Sequence, residues 1–252
     1  MINIVVPVYN EESRFQPDYW EEILKIPLLK FLFVVDGSTD NSFSLFTHLT
    51  QNSVHQVVLL PKNVGKAEAV RFGLMSVLRQ IGDDEIIGFM DADPAFDKNG
   101  LENFFGLASK LMLKDDLQTQ QYNSLWASRV ALRGRNIQRN PIRHYIGRGV
   151  NTCLGIFVPN MPYDTQCGLK LFQNHQVFKI IVSKSFKTKW FIDLELLIRW
   201  NKASPDNPMS IWEEPLTYWF DVPGSSLSFK SAIRVIKEMA LVISESRSSK
   251  TI

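Results

Sequence analysis

The sequence has little of several things, and each shortage narrows what it can be. Among 252 residues there are two cysteines, Cys153 and Cys167. That is too few for a disulfide-stapled scaffold, and they lack zinc-site spacing, so a reducing compartment is expected with both thiols small and buried. Charge of one sign is also lacking: 28 Lys and Arg against 26 Asp and Glu leave +2, which gives no overall field for gripping a nucleic acid. No apolar run approaches the roughly 18–20 residues that span a bilayer, and the first ten residues lack the cationic start of a signal peptide. A cytoplasmic chain is expected, soluble or peripheral at the inner membrane face. A Gly-rich phosphate loop of the Walker or dinucleotide type is absent, which argues against a P-loop ATPase and a nicotinamide enzyme. With 45% hydrophobic residues, no internal repeat and no low-complexity tract, one α/β domain over 1–252 is expected.

What is present is a regular alternation. Ile2–Val8, Phe31–Val35, Val54–Leu60 and Ile86–Met90 are short, β-branched or aromatic runs that each stop at a polar cluster, as buried strands do. Between and after them, helical spacing is seen over 19–26, 41–49, 67–78 and 101–113. Strand, helix, strand in this order predicts right-handed crossovers and a mostly parallel sheet flanked by helices. A further strand is expected at 125–128, a surface loop at 114–123, and helices near 143–157, 175–182 and 193–200. In such sheets ligands bind beyond the carboxyl ends of the strands. Asn10, Asp36, Lys66 and Asp91 all stand at such ends and are expected to line one crevice.

The chemistry is read from these loops. Asp91-Ala92-Asp93 places two carboxylates at a strand end, where they can hold a hard divalent cation and leave positions for diphosphate oxygens; solvated or helix-capping carboxylates are the plain alternative. Asp36-Gly37-Ser38-Thr39-Asp40 offers Asp36 to a base or ribose, with Asp40 better read as a turn and helix cap. Asn63-Val64-Gly65-Lys66 joins a flexible backbone to a cation, which suits a nucleotide phosphate. From Arg129 to Arg148 there are six arginines and no Asp or Glu; some belong to a solvated face, while Arg129 and Arg148 are the phosphate-seeking candidates. Asp164 follows in a loop, as a general base or a helix cap.

In order and spacing, Pro7-Val8-Tyr9-Asn10-Glu11, the Asp36 loop, Asn63-Val64-Gly65-Lys66, Asp91-Ala92-Asp93 and Ser128-Arg129 resemble the family 2 inverting glycosyltransferases of the GT-A fold. Asp164-Thr165-Gln166-Cys167-Gly168-Leu169-Lys170-Leu171-Phe172, Trp190-Phe191-Ile192-Asp193-Leu194-Glu195, Glu214-Pro215 and Gly224-Ser225-Ser226-Leu227 are similar to the narrower dolichyl-phosphate glucosyltransferase and mannosyltransferase branch. The resemblance implies metal-dependent transfer of a hexose from a nucleotide-diphosphate sugar to a polyprenyl phosphate or a soluble acceptor. The nucleotide-sugar half would be 1–128 and the acceptor half 129–252. Pro7, Tyr9, Glu11 and Asp36 would surround base and ribose, and Lys66 would lie near the nucleotide. Asp91 would serve ribose and metal, Asp93 the Mg or Mn ion, Arg129 a phosphate, and Asp164 the reacting centre as base or orienter. Val35, Ala95 and Ser226 depart from the family pattern, the first at little expected cost because Asp36 keeps the carboxylate beside Gly37; Ala95, Ser226 and the expected lack of the branch's usual membrane tether make a non-catalytic sugar-nucleotide-binding protein the rival reading. Phe229, Ile233, Ile236, Met239, Ala240 and Ile243 share one side of a last helix, expected to pack on the core in preference to a membrane interface.

Overall fold

The computed structural model describes residues 1–112, 122–221 and 229–247. Strands β1 (Ile2–Val8), β2 (Leu29–Asp36), β3 (Gln56–Leu60) and β4 (Ile86–Met90) alternate with helices α1 (Pro17–Ile23), α2 (Ser42–Leu49), α3 (Lys66–Leu78) and α4 (Lys98–Met112). The second half contributes β5 (Ser124–Ser128), β6 (Asn136–Gln138), α5 (Pro141–Gly155), β7 (Leu169–Gln173), α6 (Gln176–Ser183), α7 (Ile192–Ala203), β8 (Ile211–Pro215), β9 (Tyr218–Phe220) and α8 (Phe229–Arg247). The main sheet runs β3-β2-β1-β4-β7-β5-β8, and β6 pairs with β9 in a small second sheet. All neighbours in the main sheet are parallel except β7, which is antiparallel to both β4 and β5. The expected α/β, mostly parallel architecture is therefore present.

Side chains of period two divide the core into two layers. Ile4, Val6, Phe31, Phe33, Val35, Ile86 and Met90 face one way, onto Trp20 of α1, Phe46 of α2 and Phe104 of α4. Val5, Leu32, Val34, Ile87 and Phe89 face the other, onto α3, α6 and α7. Trp20 is the hub of the first layer, edge-on to Phe33 at 5.0 Å and to Phe46 at 5.8 Å. In the second layer Phe172 stacks on Phe178 at 4.7 Å.

Three expectations need correction. Cys153 is exposed on α5, while Cys167 is buried and its thiol is pushed up to about 12, chiefly by burial. β7 was not expected as a strand, because Lys170 interrupts its apolar run; β6, β8 and β9 were also missed. On α8, Met239 and Ile243 pack on the core as expected, joined by Val235 and the fully buried Val242, but Ile236 and Ala240 are exposed. The side chains of Phe229 and Ile233, most of the loop 114–123, and Gly224–Leu227 with Ser226 lie outside the described residues.

The β4–β7 contact leaves no room for a side chain at Gly88: a Cβ there would stand 2.1 Å from the Lys170 carbonyl oxygen and 2.6 Å from Leu171 Cδ2. Gly88→Ala is expected to cost about 1–3 kcal/mol or more by overpacking, read as a lowered urea midpoint with an unchanged slope.

Candidate active site

Because β1 to β4 are parallel, their carboxyl ends share one rim. The reversal of β7 brings its amino end, preceded by the 164–168 loop, to the same rim. The loops there are tied to one another by named contacts. Asn10, in the left-handed region at φ 51°, accepts the Thr39 N–H at 2.9 Å through Oδ1, and its own N–H donates to Ser38 Oγ at 3.1 Å. Asp40 accepts the Ser42 N–H at 3.0 Å at the start of α2, as a capping carboxylate does, and the Glu12 N–H at 3.1 Å. Asp36 is buried, with its oxygens accepting the Val64 N–H at 2.7 Å and the Gly65 N–H at 2.8 Å. Its carboxylate thus fastens the β2 end to the loop that opens α3, a role the sequence reading did not assign. Gly37, at φ +59°, permits this approach, since a Cβ would meet Asn63 N at 2.3 Å.

Lys66, the first residue of α3, places Nζ 2.6 Å from Asp91 Oδ1. Desolvation opposes the Lys66 charge, but the Asp91 carboxylate outweighs it and holds the ammonium above its usual range. Asp91 in turn donates its N–H to the Gly168 carbonyl at 2.8 Å, and its side chain fills the space where a Cβ of residue 168 would be, 2.3 Å from the carboxyl carbon. Asp93 is pushed up to about 6, first by burial and then by the Asp91 charge. Glu11 is also raised, mainly by burial, although it pairs with Arg14. Ala92 and Ala95 are buried beside them, Pro7 is half-buried, and Tyr9 is exposed.

The acceptor-side candidates form a second cluster. Asp164 Oδ2 accepts from Arg129 N–H at 2.9 Å and Nε at 2.7 Å; Oδ1 accepts from Arg129 Nη2 at 2.7 Å and from the Gln166 N–H at 3.2 Å. Four donors fill the four acceptor positions of a carboxylate. Although burial alone would raise it, the Arg129 guanidinium holds this carboxyl well below the usual carboxylate range. In this arrangement Asp164 has no acceptor position left over, and its carboxylate holds the Arg129 guanidinium, which also lies 5.0 Å over the Trp219 ring. Arg139 approaches Asp164 to 4.0 Å. Arg148 does not join this cluster: it donates to the Tyr163 carbonyl at 2.8 Å and covers the Tyr163 ring at 3.7 Å.

Sequence reading missed the groups that hold this loop. Glu213 of β8 accepts both the Tyr163 N–H at 2.8 Å and the Asp164 N–H at 2.7 Å. Lys170, fully buried in β7, donates to the Cys167 carbonyl at 2.5 Å and lies 2.9 Å from Asp193 Oδ1 of α7. The signal available was an isolated lysine inside an apolar run, which has to find a buried anion.

Two carboxylates are suited to a cation at this rim. Among the described residues no group of three or more His, Cys, Asp or Glu is arranged to hold a metal. Asp91 and Asp93 have the chemistry that suits a hard ion completing its shell with phosphate oxygens and water; Asp93 is raised first by burial and then by the Asp91 charge. The chemistry, not the concavity, marks the site: a 460 Å³ depression over β3 and α3, lined by Leu32, Val58 and Phe72, carries no titratable side chain.

Lys170→Met leaves Asp193 buried without its cation and is expected to cost about 3–5 kcal/mol, with Lys170→Met/Asp193→Leu recovering most of it in urea unfolding. For Asp93 the native carboxyl holds its proton to about 6 and the unfolded one only to 3.8. The native state therefore binds more protons between these values, and the wild type loses stability as pH rises through them. Asp93→Asn lacks that loss, so with chelator present it gains about 1–3 kcal/mol on the wild type between about pH 4 and 7.

Comparison with known proteins identifies the family and the fold. Residues 3–147 match the sequence profile of glycosyl transferase family 2. The chain is 26% identical to the dolichyl-phosphate beta-glucosyltransferase of Saccharomyces cerevisiae, over 96% of this chain and 73% of that protein. It is 30% identical to the Homo sapiens dolichyl-phosphate beta-glucosyltransferase, over 78% and 61%. In fold it resembles glucosyl-3-phosphoglycerate synthase from Mycobacterium tuberculosis, solved with Mn2+, UDP and glucosyl-3-phosphoglycerate, at TM-score 0.64 and 15% identity over 100% of this chain and 81% of that one. With its GT-A architecture and a profile match across more than half its length, the chain belongs to glycosyl transferase family 2 and is a glycosyltransferase that takes its sugar from a nucleotide sugar.

Proposed function

We propose that the protein transfers a hexose, glucose in the first instance, from a UDP-sugar to a polyprenyl phosphate with inversion at the anomeric carbon and dependence on Mg or Mn. The observation that carries this reading is the saturation of Asp164. A sugar hydroxyl needs a base, whereas a phosphate monoester arrives already ionised and needs none. The acceptor side presents, in place of a free base, the Arg129 guanidinium held in a fixed plane by Asp164, and planar bidentate donors suit phosphate. The names of the relatives support the same acceptor and sugar, and the UDP and Mn2+ of the structural neighbour support the donor and the ion.

Asp91 and Asp93 would hold the cation, which when bound supplies neutralisation of the donor diphosphate. Lys66, braced on Asp91, adds a fixed positive charge at that end. Pro7, Tyr9, Glu11, Asp36 and the Gly65 backbone frame the nucleotide, with Asn10 clasping the loops. Arg129 holds the acceptor phosphate so that one of its oxygens faces the anomeric carbon opposite the diphosphate. The new carbon–oxygen bond forms as the bond to the diphosphate breaks, its electron pair leaving with the nucleoside diphosphate, and no proton moves.

The test is a thermal-shift and turnover series. UDP-glucose with Mn2+ is expected to raise Tm, and Asp93→Ala to abolish the Mn2+-dependent part. Asp164→Asn, which disorders Arg129, is expected to raise KM for a polyprenyl phosphate at least about tenfold while donor binding persists. Unchanged kinetics in Asp164→Asn would overturn the acceptor assignment. Donor binding without release of UDP under any acceptor would favour the non-catalytic alternative.

A further inference from the structure

We propose that the outer face of α5 is a docking surface for an anionic lipid bilayer, which sets the Arg129 cluster at the membrane surface. Helix α5 has an inner and an outer side. Leu154 is buried and Val150 packs on the core, while Asn151 fixes the site loop, donating to the Tyr163 carbonyl at 3.0 Å and accepting from Thr165 Oγ1 at 3.0 Å. On the opposite side Ile142 is 69% exposed, Tyr145 74% and Ile146 51%. At 3.6 residues per turn these three share an arc with Gly149, Thr152 and Cys153, all exposed as well. The arc contains no charged residue, although a solvent-facing helix side ordinarily carries several. Ile156, just past the helix, is 76% exposed, and Leu132, in the loop before it, 48%.

Charge chooses the occupant. From Arg129 to Tyr163 the sequence holds six arginines and no Asp or Glu. Arg129 and Arg139 turn inward to Asp164, while Arg133, next to Leu132, is exposed and Arg135 and Arg148 are partly so; a second copy of this face would bring like charges together, whereas an anionic bilayer complements both the apolar arc and these cations. The geometry relates the surface to the site: the helix that presents the arc outward grips Tyr163 and Thr165 inward, the residues on either side of Asp164. Docking therefore brings the plane of lipid phosphates to the acceptor side. The functional value of this placement rests on the polyprenyl-phosphate reading; the binding itself does not.

The 252-residue protein is mixed with phosphatidylcholine vesicles, with or without phosphatidylglycerol, in the absence of donor and acceptor, and pelleted. The expected result is binding to the anionic vesicles that weakens with salt. Ile142→Ser/Ile146→Ser and, separately, Tyr145→Asp are expected to lower partitioning at least about tenfold at unchanged Tm, while Ile180→Ser on α6 leaves it unaltered. No binding by the wild type, or equal binding by the α5 variants, overturns the proposal. So does a dimer in analytical ultracentrifugation that the double substitution dissociates, since a second copy would then cover the face. Transfer from UDP-glucose to a polyprenyl phosphate in detergent is measured in parallel. Transfer without vesicle binding refutes the docking surface alone, and vesicle binding without transfer refutes the acceptor reading alone.

Discussion

The site depends on a close approach of backbone to carboxylate at the junction of β4 and β7. The Asp91 N–H reaches the Gly168 carbonyl, and the Asp91 side chain occupies the space a Cβ of residue 168 would need. The contact anchors one end of the loop that starts at Asp164, whose other end is held by Glu213 and Arg129. The same contact bears a heavy electrostatic load. Asp91 raises both Asp93 and the buried Asp193, and Lys66 and Lys170 pair with Asp91 and Asp193 respectively. Desolvated carboxylates in such number persist only where cations or hydrogen-bond donors match them. Lys170 does this from inside the sheet while its other contact fixes the Cys167 carbonyl, so one buried cation sets both the charge balance and the path of the loop.

The carboxylates of the rim differ in how fully they are satisfied, and that difference separates scaffold from chemistry. Asp36, Asp40, Asp164 and Glu213 each accept backbone N–H groups and hold loops in place. Asp93 is instead raised to about 6, first by burial and then by the Asp91 charge, the kind of departure that gathers at functional sites.

The first half was legible in the sequence because its strands are uninterrupted and each ends at a polar cluster: Asn10, Asp36, Lys66 and Asp91 stand on one rim as the strand-end argument requires. The second half was less legible for physical reasons. Lys170 breaks the apolar run of β7, and its compensation, Asp193, lies on another element 23 residues away, a pairing that no local pattern encodes. β6 and β9 are three residues each, too short to show a period. Asp164 could be named from its loop, but its role could not, since saturation by Arg129 is set by side-chain geometry across 35 residues. Cys153 was misplaced because α5 carries apolar residues on two sides, so that an apolar neighbourhood in sequence did not mean an interior position.

The reversal of β7 is the architectural step that brings the two clusters of candidate residues to one rim. In a wholly parallel sheet the segment preceding a strand opens at the opposite rim, away from the ligand. Running antiparallel between β4 and β5, β7 delivers the segment before it to the rim where β4 ends in Asp91 and β5 in Ser128. That places Asp164 within hydrogen-bonding distance of Arg129, the residue immediately after β5. The loop leading into β7 follows α5 in the chain and is pinned to it by Asn151, which bonds Tyr163 and Thr165 on either side of Asp164. The inner side of α5 is thus committed to the loop that the reversed strand brings to the rim, and its uncharged arc lies on the opposite, exposed side.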